Sequence, residues 1–334
     1  MNVLLTGGAG YIGSHTCVEL LEAGYTIVVA DDFSNSFPEA MARVQQLTGR
    51  PFPVHQIDVC DAGALDALFA QYAFDAVIHF AGLKAVGESV QQPLRYYRVN
   101  LDAALTLAET MARHGVYRLV FSSSATVYDQ SNPSPIDENV ALGASNPYGW
   151  TKYMIERIYR DLAASDGRWS IALMRYFNPV GAHPSGVIGE HPGIAPNNLM
   201  PRAINAAYEH RPIGVFGDDY PTADGTCVRD YIHVCDLAQG HIRALAYVQA
   251  HSGAEAFNLG TGVGYSVLDV LKGIEQATGI PANYRIEPRR AGDIASYYAD
   301  AQKARDALGW RATRTLHDMC RDAWNFKVKN PEGY

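Results

Sequence analysis

Tyr148 and Lys152 stand four residues apart in the run Asn146-Pro147-Tyr148-Gly149-Trp150-Thr151-Lys152. On a helix that spacing places both side chains on one face. A lysine ammonium near a phenol favours the phenolate, so Tyr148 could act as a base near neutral pH. Two other features give the pair its meaning. The chain opens with the glycine-rich run Gly7-Gly8-Ala9-Gly10-Tyr11-Ile12-Gly13, and Ser122-Ser123-Ser124 ends a strand-like run ahead of the pair. Loop, serine and Tyr/Lys pair together point to a nicotinamide-dependent enzyme.

These groups need elements to hold them. Val3–Thr6 reads as a buried strand, followed by the glycines and an apolar-periodic helix from Tyr11 to Glu22. Further strands are expected at Thr26–Ala30, ending at Asp31 and Asp32; at Pro53–Ile57, ending at Asp58; and at Ala76–Phe80, Leu119–Phe121 and Ser170–Arg175. Continuous apolar strands alternating with helical segments predict a Rossmann-type, doubly wound parallel sheet covered on both faces. Beyond Tyr176 the alternation lapses. Pro179–Pro196, rich in Gly, Pro and His, reads as loop, Tyr231–Ala250 as a helix, and Ala256–Leu259 as a strand returning to the sheet. The expected organisation is α/β throughout. A nucleotide-binding domain takes residues 1–177 plus 231–262, and a smaller, discontinuous substrate domain takes 178–230 plus 263–334.

Composition excludes several classes. With 48% apolar and 19% charged residues in 334, the chain suits a globular protein with a substantial core. A net charge of −8 argues against a nucleic-acid groove. The five cysteines are scattered without Cys-x-x-Cys, and no His-Glu-x-x-His occurs, so neither a disulfide framework nor a metal site is expected. The first residues lack the charged n-region of a signal peptide, and no apolar stretch is long enough to span a bilayer. A cytoplasmic enzyme is expected.

The loop is itself specific. Gly8, Gly10 and Gly13 fit G-x-G-x-x-G, and Gly7, Gly10 and Gly13 fit G-x-x-G-x-x-G, between strand and helix. Small residues let the backbone approach a pyrophosphate, whose charge the helix N-terminus stabilises. Asp31 lies 21 residues after Gly10, where a carboxylate can accept both ribose hydroxyls. It would repel the 2′-phosphate of NADP, so NAD is the expected cofactor. Asp58 could contact the adenine or cap a helix beginning near Asp61.

Long segments resemble the extended short-chain dehydrogenase/reductases, among them the 4-epimerases of UDP-hexoses. They are Thr6–His15, His79–Ser89, Phe121–Tyr128, Arg175–Pro179, Pro196–Pro201 and Val228–Val234. The resemblance implies that Tyr148 is the base, Ser124 a partner of the same sugar hydroxyl, and Lys152 the residue that lowers the Tyr148 pKa and contacts the nicotinamide ribose. It implies NAD contacts at Gly7, Gly10, Tyr11, Ile12, Gly13, Asp31, Asp32, Asn35, Ser36, Asp58, Val59, Phe80, Ala81, Gly82, Lys84, Ser122, Tyr148, Lys152, Tyr176 and Phe177. For a UDP-sugar it implies Lys84, Ser124, Tyr148, Phe177, Asn178, Asn198, Leu199, Val215, Phe216, Arg229, Tyr231, Val267, Arg290, Asp293 and Tyr297. UDP-glucose and UDP-galactose are the expected substrates, interconverted through a 4-keto sugar. A homodimer is expected, formed through helices near 93–114 and 147–165.

Tyr297 matches a family position bordering the sugar's C2 group, where a tyrosine excludes an N-acetyl group; a one-residue slip would give that role to Tyr298. Departures from the family pattern are Asp129 and Cys227 in place of glycines, and Trp150 and Thr151 within the Tyr/Lys run. A sugar-nucleotide dehydratase would need an acidic pair after the serine, and Ala125-Thr126 stands there instead. A binding-only sensor on the same fold would not require Ser124, Tyr148 and Lys152 together.

Overall fold

The computed structural model describes residues 1–191, 198–290 and 292–334. Seven strands form one parallel sheet: β1 (Asn2–Thr6), β2 (Thr26–Asp31), β3 (Val54–Gln56), β4 (Ala76–His79), β5 (Arg118–Ser124), β6 (Ser170–Tyr176) and β10 (Gly253–Leu259). Their order is β10-β6-β5-β4-β1-β2-β3, with every neighbouring pair parallel. The order reverses between β1 and β4, and in such sheets ligands bind at the carboxyl ends of the strands beside that reversal.

The sheet exists because its strands are apolar on both faces. Val3 and Leu5 of β1 point into the core under α1 (Tyr11–Glu22), α2 (Pro38–Thr48) and α8 (Val234–Ala250), while Leu4 between them joins the opposite core. The same alternation runs through Ile27, Val29 against Val28, Ala30 in β2, and Ala172, Met174 against Ile171, Leu173 in β6. The opposite core lies under α3 (Ala62–Gln71), α5 (Pro93–Arg113) and α6 (Pro147–Ser165); the short α4 (Val86–Gln91) precedes α5.

The rest of the chain builds a smaller lobe. β9 (Val228–His233) pairs with β7 (Asn178–Val180), β11 (Gly264–Ser266) and β13 (Ser296–Tyr297), and β8 (Ile213–Phe216) pairs with β12 (Tyr284–Glu287). Helices α7 (Leu199–Tyr208), α9 (Val267–Thr278) and α11 (Leu316–Lys329) close a separate core around Ile204, Val270 and Met319, and α10 (Gln302–Leu308) packs on α8. Fully buried Asp230 fastens the lobes. Its carboxylate accepts from Thr261 N (2.8 Å), Thr261 Oγ1 (2.7 Å), Gly262 N (3.0 Å) and Ala299 N (3.2 Å).

Two sequence expectations differ from this fold. Tyr231–His233 belong to β9 and not to the helix read over Tyr231–Ala250, because the helix begins only where His233 accepts the Cys235 N–H (3.1 Å) and so caps it. The domain boundary placed at 230/231 therefore falls inside β9. The loop read over Pro179–Pro196 begins with β7, and its residues 192–196 lie outside those described.

Candidate active site

The glycine loop follows β1 and meets the chain leaving β4. Gly7 has φ +69°, and a Cβ there would lie 2.5 Å from Ala81 N; at Gly13 it would lie 2.5 Å from Gly7 O. Both contacts are with backbone, so only glycine fits. Gly10 caps α1 without a side chain, and the N–H groups of Tyr11, Ile12 and Gly13 have no intrahelical acceptor. This is a ready cradle for a pyrophosphate.

Asp31, at the end of β2, turns its carboxylate back to the loop. It accepts from Ala9 N (2.9 Å), Phe33 N (3.0 Å) and Ser36 Oγ (2.7 Å). Three donors leave about one lone-pair position open, and the Ser36 hydroxyl can rotate to make more room. Burial pushes the carboxyl up from its ordinary range, and these hydrogen bonds oppose the shift. Nearby Arg43 and Arg50 are engaged elsewhere, with Glu39 and Asn330 and with Leu21 O. The donor set suits an unphosphorylated adenosine ribose, as in NAD.

Asp32 accepts from Ser34 N (2.9 Å), and Asn35 is exposed beside it. Asp58 is exposed and accepts from Cys60 N (2.9 Å). The cap of α3 is Asp61, so the capping role open to Asp58 falls to its neighbour. Val59 is buried in the core, which leaves only its backbone for a ligand. Phe80, Ala81 and Gly82 follow β4, and Lys84 beyond them is exposed.

The reactive groups gather where β5 and β6 end. α6 starts at Pro147, with Asn146 accepting the Gly149 N–H (2.9 Å). That cap puts Tyr148 and Lys152 on the face turned to β5. Lys152 Nζ donates to Ser122 O (2.6 Å) and lies 5.9 Å from the centre of the Tyr148 ring. Burial lowers the Lys152 ammonium to about 7, against the opposing pull of Glu156. Burial also pushes the Tyr148 phenol up, and the Ser124 hydroxyl facing it works the other way. Ser124 accepts from Thr126 N (3.2 Å) and Thr126 Oγ1 (3.0 Å). Tyr176, opposite Ser124 in the β5–β6 register, donates its hydroxyl to His241 Nε2; the other ring nitrogen of His241 donates to Leu237 O (2.9 Å). Phe80 packs on His241 with ring centres 4.9 Å apart.

A second cluster lies on the smaller lobe. Arg290 Nε donates to Asp293 (3.0 Å), and Arg229 Nη2 lies 3.8 Å from the same carboxylate. The Arg290 guanidinium sits 4.7 Å from the centre of the Phe216 ring. Two cations, a carboxylate and an aromatic face are the parts that a nucleoside diphosphate requires. Asn198 and Leu199 stand at the start of α7 and Val267 at the start of α9. Asn178 donates to Asp230 O (2.9 Å), while Val215 and Tyr231 are buried. Tyr297 joins the two clusters. It is opposite Arg229 in the β9–β13 register, its hydroxyl donates to Ala125 O (2.7 Å), and its ring lies 5.6 Å from that of Phe177. Tyr298 instead packs toward Gly264, which places Tyr297, and not its neighbour, beside Ser124.

The departures from the family pattern are absorbed locally. Thr151 donates to Tyr148 O (2.7 Å) and accepts from Asn100 (2.9 Å), Trp150 packs near Tyr153, and Asp129 accepts from Ser131 N (2.8 Å). Cys227 is buried, its carbonyl accepting from Val267 N (3.1 Å). Three charged residues near the site were not singled out by spacing. Arg202 lies 5.5 Å from the Phe216 ring centre, Glu190 faces Lys84 and Asn198, and Glu156 pairs with Arg175 one turn beyond Lys152. Only Glu156 carried a signal, as the third member of a Tyr148, Lys152, Glu156 stripe.

Known proteins match the chain over most or all of its length. The model of the NAD dependent epimerase/dehydratase family matches residues 3–260. The UDP-glucose 4-epimerase of Bacillus subtilis (strain 168) is 56% identical over 335 residues, covering 100% of this chain and 99% of that protein. The crystal structure of UDP-glucose 4-epimerase from Bifidobacterium longum in complex with NAD+ and UDP superposes with a TM-score of 0.95 at 49% identity, covering 100% of both chains. The Stenotrophomonas maltophila enzyme, with bound NAD and formylated UDP-arabinopyranose, gives 0.97 at 47% identity over 99% of each chain. The chain belongs to the NAD dependent epimerase/dehydratase family, among its UDP-glucose 4-epimerases.

Proposed function

We propose that this protein interconverts UDP-galactose and UDP-glucose by inverting the sugar at C4. When bound, NAD supplies a reversible hydride acceptor, so that C4 passes through a ketone with no net redox change. Tyr148 takes the proton of the C4 hydroxyl and later returns it. Ser124 hydrogen-bonds the same oxygen. Lys152 holds the nicotinamide-side ribose and favours the Tyr148 phenolate, offsetting the effect of burial.

Asp31 and the first N–H groups of α1 hold the adenosine ribose and the pyrophosphate, with Phe80, Ser122, Tyr176 and Phe177 forming the wall toward the reacting carbon. Arg229, Arg290, Asn178 and Lys84 hold the UDP phosphates, Phe216 the uracil and Asp293 the uridine ribose. The sugar, anchored only through UDP, turns between the two hydride steps. Tyr297 restricts the space for this turn to sugars without an N-acetyl group at C2. Residues 1–177 plus 234–262 act as the nucleotide-binding domain, and the lobe built around β9 as the UDP-sugar domain.

The strongest support is the convergence of Ser124, Tyr148 and Lys152 on the strand ends, in a chain that matches UDP-glucose 4-epimerases over its full length. Purified protein mixed with UDP-galactose should form UDP-glucose without added NAD, and denatured protein should release near-stoichiometric NAD(H). No product, or release of NADP(H) alone, would sink the reading.

We also propose a homodimer. Large apolar side chains are exposed on three consecutive helices: Val86 (43%) and Val90 (62%) on α4, Leu94 (82%) and Leu105 (42%) on α5, and Met154 (38%) on α6. Such a patch fits a second copy of the same chain.

A further inference from the structure

Tyr148, Lys152 and Glu156 form a stripe at four-residue spacing along one face of α6, and three consecutive serines of β5 meet it. The Ser124 hydroxyl faces the Tyr148 phenol, the Ser122 carbonyl accepts from Lys152 Nζ (2.6 Å), and Ser123 Oγ donates to Glu156 Oε1. The last rung is the most constrained. Glu156 also receives a two-pronged contact from Arg175 of β6, with Nε to Oε1 at 2.9 Å and Nη2 to Oε2 at 2.6 Å. Both side chains are 1% exposed.

The clamp extends across the molecule. Arg175 Nη1 donates to Tyr128 (2.9 Å), whose hydroxyl donates to Asn258 (2.6 Å). The Asn258 amide in turn donates to Ile136 O (2.8 Å) and Asp300 O (3.1 Å), the second of these three residues beyond Tyr297. A buried ion pair is a poor stability device, since apolar residues of the same shape commonly do as well. Its position one turn behind Lys152 calls for another role.

We propose that Glu156 is a positioning residue for the reaction: clamped by Arg175 and Ser123, its carboxylate holds the Tyr148–Lys152 face of α6 in register with the end of β5 and sets the field at the Lys152 ammonium. The charged and titratable groups facing Lys152 are Tyr148 and Glu156 on its own helix and His79 at the end of β4; Arg175 lies beyond Glu156. Of these, Glu156 is the one that favours the protonated amine. The role rests on the function proposed above.

The test uses NAD-loaded protein carrying Glu156→Gln, Arg175→Met or both, with kcat taken per bound NAD(H). Glu156→Gln keeps the shape and an acceptor for Ser123 but removes the charge. It should lower kcat by about tenfold or more, as small misplacements do, with KM changed by less than about threefold. The alkaline limb of its kcat profile should move to lower pH, because the Lys152 ammonium has lost the carboxylate that favours it. The double variant should regain the wild-type unfolding midpoint without regaining kcat or the pH limb. A double variant with wild-type kcat, or a Glu156→Gln profile with an unmoved limb, overturns the role. Wild-type protein that does not convert UDP-galactose removes the underlying function instead, so the two failures are distinguishable.

Discussion

At Tyr148 the hydroxyl is the only group that separates a working base from a phenylalanine. Tyr148→Phe should keep the fold and bound NAD while lowering turnover on UDP-galactose by about 10² to 10⁴. A rate within about threefold of wild type, far short of that loss, would remove Tyr148 from the mechanism. The contribution proposed for Tyr297 is of a different kind, through bulk. Tyr297→Cys opens the space beside Phe177 and should gain activity on UDP-N-acetylglucosamine without improving the native reaction. Tyr298→Cys, which alters packing against Gly264, should gain none. Comparable wild-type rates on UDP-galactose and UDP-N-acetylgalactosamine would refute the gate. The residues proposed to react were legible in the chain because Tyr148 and Lys152 obey a helical spacing and follow a serine at a strand end. Arg175 was not, and Glu156 showed only as the next step of that spacing, since a charged residue is solvated in most contexts and only the fold reveals that both are buried.

Among the elements, the turn from β1 into α1 tolerates little change. A methyl group at Gly13 would lie 2.5 Å from Gly7 O and 2.7 Å from Gly8 Cα, neither of which can move cheaply. Gly13→Ala should cost about 1–3 kcal/mol of stability, and the purified protein should retain little NAD(H). Gly10→Ala meets nothing closer than 3.4 Å. It should fold like wild type, so any loss of NAD there would come from the cofactor's own space. Equal stability and NAD content in wild type and Gly13→Ala would contradict the packing argument. The sheet strands other than the edge strand β3 were readable because burial on both faces leaves apolar runs. The smaller lobe was not. β13 has two residues, every residue of β12 is exposed, and β9 carries the mixed sequence Val-Arg-Asp-Tyr-Ile-His that continues straight into a helix. Such strands are fixed by their partners and not by their own composition.

For the whole molecule, the apolar patch on α4, α5 and α6 predicts sedimentation at twice the 36.5 kDa chain mass. A Leu94→Glu/Met154→Glu variant should shift it toward one, and a wild-type monomer at micromolar concentration would exclude the dimer. Acid should weaken the fold. Burial lowers His15 and His79 to about 3 and His241 to about 4. His15 Nδ1 must donate to Tyr11 O (2.7 Å), which leaves Nε2 buried without a partner among the described residues. The unfolded chain binds these protons near pH 6.5 and the folded chain does not, so stability present above pH 6.5 is lost as pH falls below it. At pH 5.5 the three together should cost about 4 kcal/mol. Raised carboxylates such as Asp31, Glu138 and Asp230 oppose this, mainly at lower pH. The unfolding midpoint should fall from pH 7.5 to 5.5, less steeply in His15→Gln. A flat midpoint over that interval would rule out neutral burial of these rings.

The place of β10 bears on how the chain is made. β6 ends at Tyr176, but its outer neighbour begins only at Gly253, after the excursion into the smaller lobe. During translation the freshly made β6 therefore shows an open edge of seven residues. At about 5–20 residues per second, the roughly 80 intervening residues take on the order of 4–15 s to emerge. For that interval the nascent sheet offers an apolar strand to any other chain nearby. The same fold that interleaves two lobes leaves the β6 edge open to aggregation on the ribosome.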